Sequence, residues 1–570
     1  MRMLIDSPIY QLEKADWNPN WESTVNTALK SSTNNPKLPK ATVGLLVFFG
    51  LLKFTLHVFF LPRYGLHADE LYYIHLGKDF QWGFPDISPL VTWVAGLSAK
   101  LFGDSVAAWR IFPTLFSSLT VVLTGLIAHY LGAKRLGIIV ACLAIIWSPS
   151  FLATSYLLQP VVFDEFLWTL FAFVLLRYFQ TQKPTYLLLS GAVIGIGMLN
   201  KYTIFMYLVT LGLASLMVFK GRLKVGFPAL IGAAILFLVM MMPNILWQAQ
   251  HGFPVFNFLG LVGQQAFALN IPDYLFQLVF FHGAGVSVWM AGFLYLLLSK
   301  KGGRYLLIWP ISTLLLVLAL ALLKGKLYYG LGMFPFLFAA GGYCWEIMLT
   351  KLSRVKKTIF LLMISLFGIL SLPLVIPILS MGNCRTYIRQ MVALTSFSRP
   401  MTWEDGSQGS IPQFFADMSG WEIAANKVGL AVNEIENQPA KYILTDDYAI
   451  AGALQRYVKI NNLQIISASN SFILESPPEL VGTSLIYLSK EPISKVKKMA
   501  QGVTFIEALD VENSHLKGIN IYVLTRVNEN FNEVYQLKRH QFYPYAAGKS
   551  TSLYKPNLGF WFTVNNWFTD

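Results

Sequence analysis

The chain reads as a succession of long apolar runs separated by short polar connections. A helix needs about 17–25 such residues to cross a bilayer, and the runs here are of roughly that length. They predict spans near 41–62, 111–131, 137–158, 161–179, 185–199, 202–219, 225–246, 276–298, 305–323, 327–349 and 358–380. That is about eleven transmembrane helices. The fifth and sixth runs are short, with only Asn200-Lys201 between them. After residue 385 the pattern changes. The stretches 441–445, 463–467, 484–488 and 519–524 read as buried strands, and 449–458 and 492–501 as helices. Strands alternating with helices predict an α/β domain. The expected organisation is therefore an N-terminal tail over 1–40, a transmembrane domain over 41–384 that includes a first outer loop at 63–110, and an α/β domain over 385–570. The aromatic-rich last thirty residues are expected to lie against the membrane interface.

Composition agrees with a polytopic membrane protein. Hydrophobic residues make up 55% of the 570, charged residues 13%, and the mean hydropathy is +0.51. A soluble globular chain carries roughly 25% charge. The net charge of +14 raises nucleic acid as a partner, but no Lys/Arg run is interleaved with stacking aromatics, so none is expected. Cys142, Cys344 and Cys384 cannot make a disulfide framework. No short apolar core with a small-residue cleavage site precedes the first span, which serves as the insertion signal.

The charges instead report orientation. Alternate connections carry Lys134-Arg135, Lys183, Lys220/Arg222/Lys224, Lys300/Lys301/Arg304 and Lys351/Arg354/Lys356/Lys357, without acidic residues. The opposite connections carry Asp69, Glu70, Asp79, Asp86, Asp104, Asp164, Glu165 and Asp273. Positive loops stay inside. The N-terminus is thus predicted cytoplasmic, and the acidic loops and C-terminal domain outside.

Two adjacent acid pairs, Asp69-Glu70 after His67-Ala68 and Asp164-Glu165 after Gln159-Pro160, are expected on that outer side. One such pair is ordinarily a solvated turn or a complement to a helix dipole. Two on one membrane face are harder to dismiss, because paired carboxylates repel unless something compensates them. Arg110, Lys201, Lys324 and Lys326, followed by Tyr328-Tyr329, place cations on the same side. Each alone is explained by snorkelling. Together, carboxylates and cations suit a reaction in which an acid takes a proton from a hydroxyl and cations hold a phosphate leaving group. Asp86, in a loop stiffened by prolines, and His251, after Trp247-Gln248-Ala249-Gln250, are weaker candidates, and His57 and His282 read as packed inside spans. There is no zinc-spaced His/Cys cluster, no P-loop and no Gly-x-Ser-x-Gly elbow.

The order of these elements resembles the C-fold (GT-C) integral-membrane glycosyltransferases. It is most similar to family 39 and its relatives, the protein O-mannosyltransferases and lipid A aminoarabinose transferases. The resemblance rests on Asp69-Glu70-Leu71-Tyr72-Tyr73, Gly83-Phe84-Pro85-Asp86-Ile87-Ser88-Pro89-Leu90, Phe102-Gly103 to Trp109-Arg110-Ile111-Phe112-Pro113, and Leu199-Asn200-Lys201-Tyr202. It continues through Pro243-Asn244-Ile245-Leu246-Trp247 with His251, Lys324 to Tyr328 and Pro335, 411–421, and Asp447 to Gly452. It covers about 41–350 and, more weakly, the outer domain.

The resemblance implies an inverting transferase that moves a sugar from a polyprenyl-phosphate donor to a hydroxyl of a lipid, glycan or protein acceptor. The protein would sit in a bacterial inner (plasma) membrane and act at its outer face. By resemblance Asp69 is the general base, Glu70 positions the acceptor, and Arg110 and Lys201 hold the lipid phosphate with Lys324 and Tyr328 nearby. Asp164 lines the same cavity, with Asp86, Glu165 and His251 as further cavity candidates. The chain departs from the pattern at Ile87-Ser88, where many bacterial members carry His-Pro or Lys-Pro. No cofactor is implied, and a divalent metal near Asp86 is left open. A lipid-linked-glycan transporter or flippase is the competing reading, but pseudo-symmetric halves with charges at mid-bilayer are not evident. A membrane-anchored binding protein is a third, for which eleven spans are excessive.

Overall fold

The computed structural model describes residues 38–220, 226–264, 271–298, 303–404, 406–434, 440–458, 463–514 and 516–542. Nearly all of the N-terminal tail, Arg222, Lys224, Lys300, Lys301 and the aromatic-rich C-terminal tail from 543 lie outside the described residues.

The chain enters the helical bundle with α1 (Lys40–Val58). Two helices then occupy the first outer loop, α2 (Ala68–Leu76) and α3 (Leu90–Phe102). Next come α4 (Val106–Tyr130), α5 (Arg135–Ile146), the single turn α6 (Pro149–Ala153), α7 (Pro160–Thr181), α8 (Pro184–Asn200), α9 (Thr203–Phe219) and α10 (Phe227–Gln250). The bundle closes with α11 (Pro254–Gln264), α12 (Ile271–Phe280), α13 (Val286–Leu298), α14 (Ile308–Leu322), α15 (Phe334–Thr350), α16 (Arg354–Val375) and α17 (Met381–Thr395). Among the described residues six helices are long and apolar enough to cross a membrane, or seven counting one bent pair.

Two expected spans are interrupted. The run 137–158 breaks at Ser148-Pro149, because proline has no N–H to give and disfavours helix at the residue before it. The run 276–298 bends by 100° where Gly283 takes a positive φ of 51°. Elsewhere the helices pack closely. A Cβ on Gly341 of α15 would lie 1.9 Å from the Val288 carbonyl, so only glycine admits the α13 backbone there.

The sheet domain begins after α18 (Trp421–Glu434). Strands β1 (Ala440–Thr445), β2 (Gln464–Ser467), β3 (Ser484–Ser489), β4 (Ala500–Leu509) and β5 (Ile519–Val527) form one sheet in the order β2-β1-β3-β5-β4. β1 runs parallel to β2 and β3, and β5 antiparallel to β3 and β4. Helix α19 (Tyr448–Tyr457) follows β1, and α20 (Glu529–Phe542) follows β5. The helix expected over 492–501 is a single turn, Ile493–Val496, after which Ala500 opens β4. That strand lies at the sheet edge with a half-exposed, partly polar surface, which hides its period.

The acidic loops meet this domain. Arg456 bonds Asp104 at 2.6 Å, and Asn470 bonds Asp86 at 2.7 Å. The basic connection at Lys134 lies at the other end of α4, about 37 Å away at 1.5 Å per residue. There the Lys134 N–H donates to Glu346 at 2.6 Å. The acidic Asp104 loop and the basic Lys134 connection are thus at opposite ends of α4.

Candidate active site

A cavity of about 2320 Å³ opens between the bundle and the sheet domain. Its apolar walls include Phe205, Phe237, Met241, Phe276 and Phe280, from α9, α10 and α12. Of the sequence-predicted residues, Asp69, Asp86, Lys201, Lys324 and Tyr328 line it.

Asp69 is placed by the start of α2. His67 caps this helix: its Nδ1 accepts the Asp69 N–H at 3.1 Å, and its own N–H donates to Glu70 at 2.8 Å. This reciprocal capping box satisfies two backbone donors and fixes the first turn. The Asp69 carboxylate then takes one donor on each oxygen. Tyr448 Oη donates to Oδ1 at 2.7 Å, and Gln159 Nε2 to Oδ2 at 2.9 Å. The neighbouring carboxylate, then burial, hold the Tyr448 hydroxyl well above the usual phenol range, so it remains a donor. A carboxylate offers about four lone-pair sites, which leaves Asp69 capacity for an incoming hydroxyl.

Glu70, one residue on, points the other way, because adjacent helical residues diverge by about 100°. It is fully buried against Arg110, at 2.7 Å from Nη2 and 3.0 Å from Nε, and also accepts the Leu158 N–H at 2.9 Å. Burial pushes Glu70 up, but the Arg110 charge with the bonds from Arg110, Leu158 and His67 outweighs it and holds the group below the usual carboxylate range. Arg110 spends its remaining donors on the carbonyls of Leu61, Arg63 and Gly65, at 2.8–3.2 Å. A guanidinium has five N–H groups, and all five are engaged. The resemblance expects phosphate binding of Arg110 and acceptor positioning of Glu70; the structure places the two against each other. Neither lines the cavity; together they tie α2, α4 and the 61–65 connection into one unit.

Asp164 also sits behind the wall rather than on it. Its oxygens accept Asn200 Nδ2 and Thr203 Oγ1, each at 2.6 Å. Those residues flank Lys201, whose backbone is extended between α8 and α9. The Lys201 ammonium lies 4.2 Å from the Tyr329 ring and 5.5 Å from that of Tyr328. Asp164 thus shapes the turn that presents Lys201. Glu165 is buried, accepts Thr154 Oγ1 at 2.7 Å, and does not reach the cavity. His251 ends α10 stacked on Trp247 at 4.0 Å and is likewise off the cavity wall. Lys324 has a left-handed backbone, and Lys326 beside it ion-pairs with Glu404.

Asp86 lines the cavity but has three donors on its carboxylate. It accepts Tyr72 Oη at 2.9 Å, Asn470 Nδ2 at 2.7 Å and Ser471 Oγ. Burial holds it above the usual carboxylate range, against the bonds from Ser471, Asn470 and Tyr72. Three donors thus take up most of its acceptor capacity, and among the described residues no group of three His, Cys, Asp or Glu side chains could hold an ion. Sequence reasoning missed Gln159 and the role of Tyr448. The segment Asp447 to Gly452 belongs to the family resemblance, but nothing local ties it to Asp69, 379 residues away.

Residues 86–247 match the family described as dolichyl-phosphate-mannose-protein mannosyltransferase. The stretch runs from the Asp86 loop to α10 and contains Arg110, Asp164 and Lys201. Two solved structures share the fold. ArnT from Cupriavidus metallidurans in the apo state superposes with a TM-score of 0.54 at 13% identity, covering 85% of this chain and 98% of that one. The same protein bound to undecaprenyl phosphate gives 0.56 at 12% identity, covering 84% and 97%. No curated protein matches the chain in sequence. The chain has the GT-C-like fold, a polytopic helical membrane bundle with a C-terminal sheet domain.

Proposed function

We propose that the chain is an inverting glycosyltransferase. It moves a sugar from a polyprenyl-phosphate donor to an acceptor hydroxyl at the membrane face that carries the sheet domain. The observation that carries this is the pairing of Asp69 with Lys201 and Tyr328 in one large, apolar-walled cavity. The apolar walls suit a prenyl chain and Lys201 its phosphate. Asp69 suits the base, since of the four acids in the two Asp-Glu pairs it alone lines the cavity. In one displacement Asp69 takes the hydroxyl proton, and the acceptor oxygen bonds to the anomeric carbon. The bond from that carbon to the phosphate oxygen breaks with its electrons on the phosphate, beside Lys201. The match to a dolichyl-phosphate-mannose-dependent family and the undecaprenyl phosphate bound by ArnT both support a lipid-phosphate donor. The alternation of basic and acidic loops supports an N-terminus in the cytoplasm and a C-terminal domain over 385–570 outside.

The test uses proteoliposomes with radiolabelled polyprenyl-phosphate sugars and a crude acceptor fraction. Wild type transfers label and Asp69→Asn does not, while Asp69→Asn still binds undecaprenyl phosphate. Absence of transfer from every donor, together with protein-dependent movement of labelled lipid between leaflets, overturns the reading in favour of a flippase.

A further inference from the structure

We infer that Tyr448 is a positioning residue for the Asp69 carboxylate, so that the C-terminal α/β domain completes the catalytic site rather than merely covering it. The inference rests on Asp69 being the base.

A carboxylate held by one donor swings about its Cβ–Cγ bond. Asp69 has two donors, on different oxygens and from different parts of the chain: Gln159 from the connection into α7, and Tyr448 from the sheet domain. Removing either frees the rotation. Tyr448 is itself fixed from both sides. Its ring packs 5.0 Å from that of Tyr72 on α2. On its N-terminal side, Asp447 caps α19 by accepting the Ala449 N–H at 2.7 Å, and Thr445 Oγ1 donates to the Asp447 carbonyl at 2.7 Å.

The helix that carries Tyr448 lies unusually close to the helix that carries Asp69. A Cβ on Gly452 would come within 3.0 Å of the Leu71 carbonyl carbon and 3.1 Å of its oxygen. A Cβ there makes α19 or α2 give by a few tenths of an ångström, and a β-branched side chain by more. Other contacts fasten the domain around the same helix. Trp421 Nε1 donates to the Leu66 carbonyl at 3.1 Å, and the Ala68 N–H to the Asp417 carbonyl at 2.9 Å. In sheets with parallel strands, ligands collect at the carboxyl ends of those strands. Here the turn that leaves β1 delivers Tyr448 to Asp69, and the one that leaves β2 delivers Asn470 and Ser471 to Asp86. The ligand edge of the domain thus grips the loop acids of the membrane bundle. A phenylalanine would fill the Tyr448 ring site equally well; the hydroxyl serves the carboxylate.

The experiment compares kcat and KM of wild type, Tyr448→Phe, Gly452→Val and Asp69→Asn in the same proteoliposome assay. The expected result for Tyr448→Phe is a fall in kcat of about 10- to 100-fold, the scale of misplacing a catalytic group by about 1 Å. KM for the donor should stay within about twofold of wild type, because the groups suited to the phosphate are untouched. Gly452→Val, with Tyr448 intact, reproduces both effects by lifting α19. Tyr448→Phe with wild-type kcat, beside an inactive Asp69→Asn, overturns the positioning role alone. So does a loss that only tracks the amount of folded protein. An Asp69→Asn protein as active as wild type overturns the base assignment and the inference with it.

Discussion

Replacing Glu70 by Gln should cost the protein stability before it costs any donor affinity. The side chain is fully buried and meets Arg110 through three contacts of 2.7–3.2 Å. Removing one partner of a buried pair typically costs about 3–5 kcal/mol, because the surviving charge stays desolvated. In many proteins such a pair can be exchanged for apolar residues of similar volume at little cost. That remedy fails here. Glu70→Leu with Arg110→Met would strand the carbonyls of Leu61, Arg63 and Gly65 and the N–H groups of His67 and Leu158. Each buried polar group left without a partner costs about 1–3 kcal/mol. The double variant is therefore expected to be no more stable than either single one.

The assay is thermal unfolding of the detergent-solubilised protein, followed by monodispersity, with undecaprenyl-phosphate binding measured on whatever stays folded. Acid should mimic the substitution. Since the folded protein holds Glu70 below the usual carboxylate range, its stabilisation is present above the unfolded-state value of about 4.3–4.5. It is lost as pH falls through the lower folded value. A Glu70→Gln protein that unfolds at the wild-type temperature but no longer binds the lipid phosphate would refute this account and return the pair to substrate binding.

Two further outcomes follow from the cavity wall. Lys201→Met removes the cation that faces Tyr328 and Tyr329, and should raise the Kd for undecaprenyl phosphate by about 10-fold or more with unchanged thermal stability, a hydrogen bond to a charged group being worth about 1.5–3 kcal/mol; titration of the labelled lipid checks it, and unchanged affinity sinks the assignment. Asp86→Asn tests the buried loop acid. Because burial holds Asp86 above its unfolded-state value, its contribution falls as pH rises from that value through the folded one, and its charge is a net cost at neutral pH. The variant should therefore melt no lower than wild type at pH 7, and its relative advantage should shrink at acid pH; a large loss at pH 7 would mean that the ionised form is compensated by something beyond Tyr72, Asn470 and Ser471.

How much of this is legible in the sequence depends on what kind of constraint each residue obeys. The apolar helices are legible because lipid demands long apolar runs. The interruptions are less so, since a Ser-Pro or a glycine inside an apolar run reads equally as a kink, a cap or a break. The acids are harder still. Asp69-Glu70 and Asp164-Glu165 look alike in sequence, yet in the first pair one step of about 100° on the helix wheel separates a cavity residue from a buried one. Asp69 meets Tyr448 and Gln159; Glu70 meets Arg110. Arg110 has the same address, at the start of a span, whether it binds a ligand or a neighbouring carboxylate.

What decides between those uses is the count of donors and acceptors, which only the fold supplies. Arg110 has no N–H to offer a phosphate, and Asp86 has little lone-pair capacity to offer a metal, because neighbours have filled them. Asp69 and Lys201 are different. Asp69 is held by two donors that leave half of its acceptor sites open. Lys201 is presented by a turn that Asp164 shapes from behind, through Asn200 and Thr203. In each acid pair, then, at least one carboxylate is spent on structure, and the free capacity collects on the cavity side. Charges conspicuous in a membrane sequence are thus as much the scaffold of the site as the site itself, and the residues to test for chemistry are those whose hydrogen-bonding capacity the fold has left unspent.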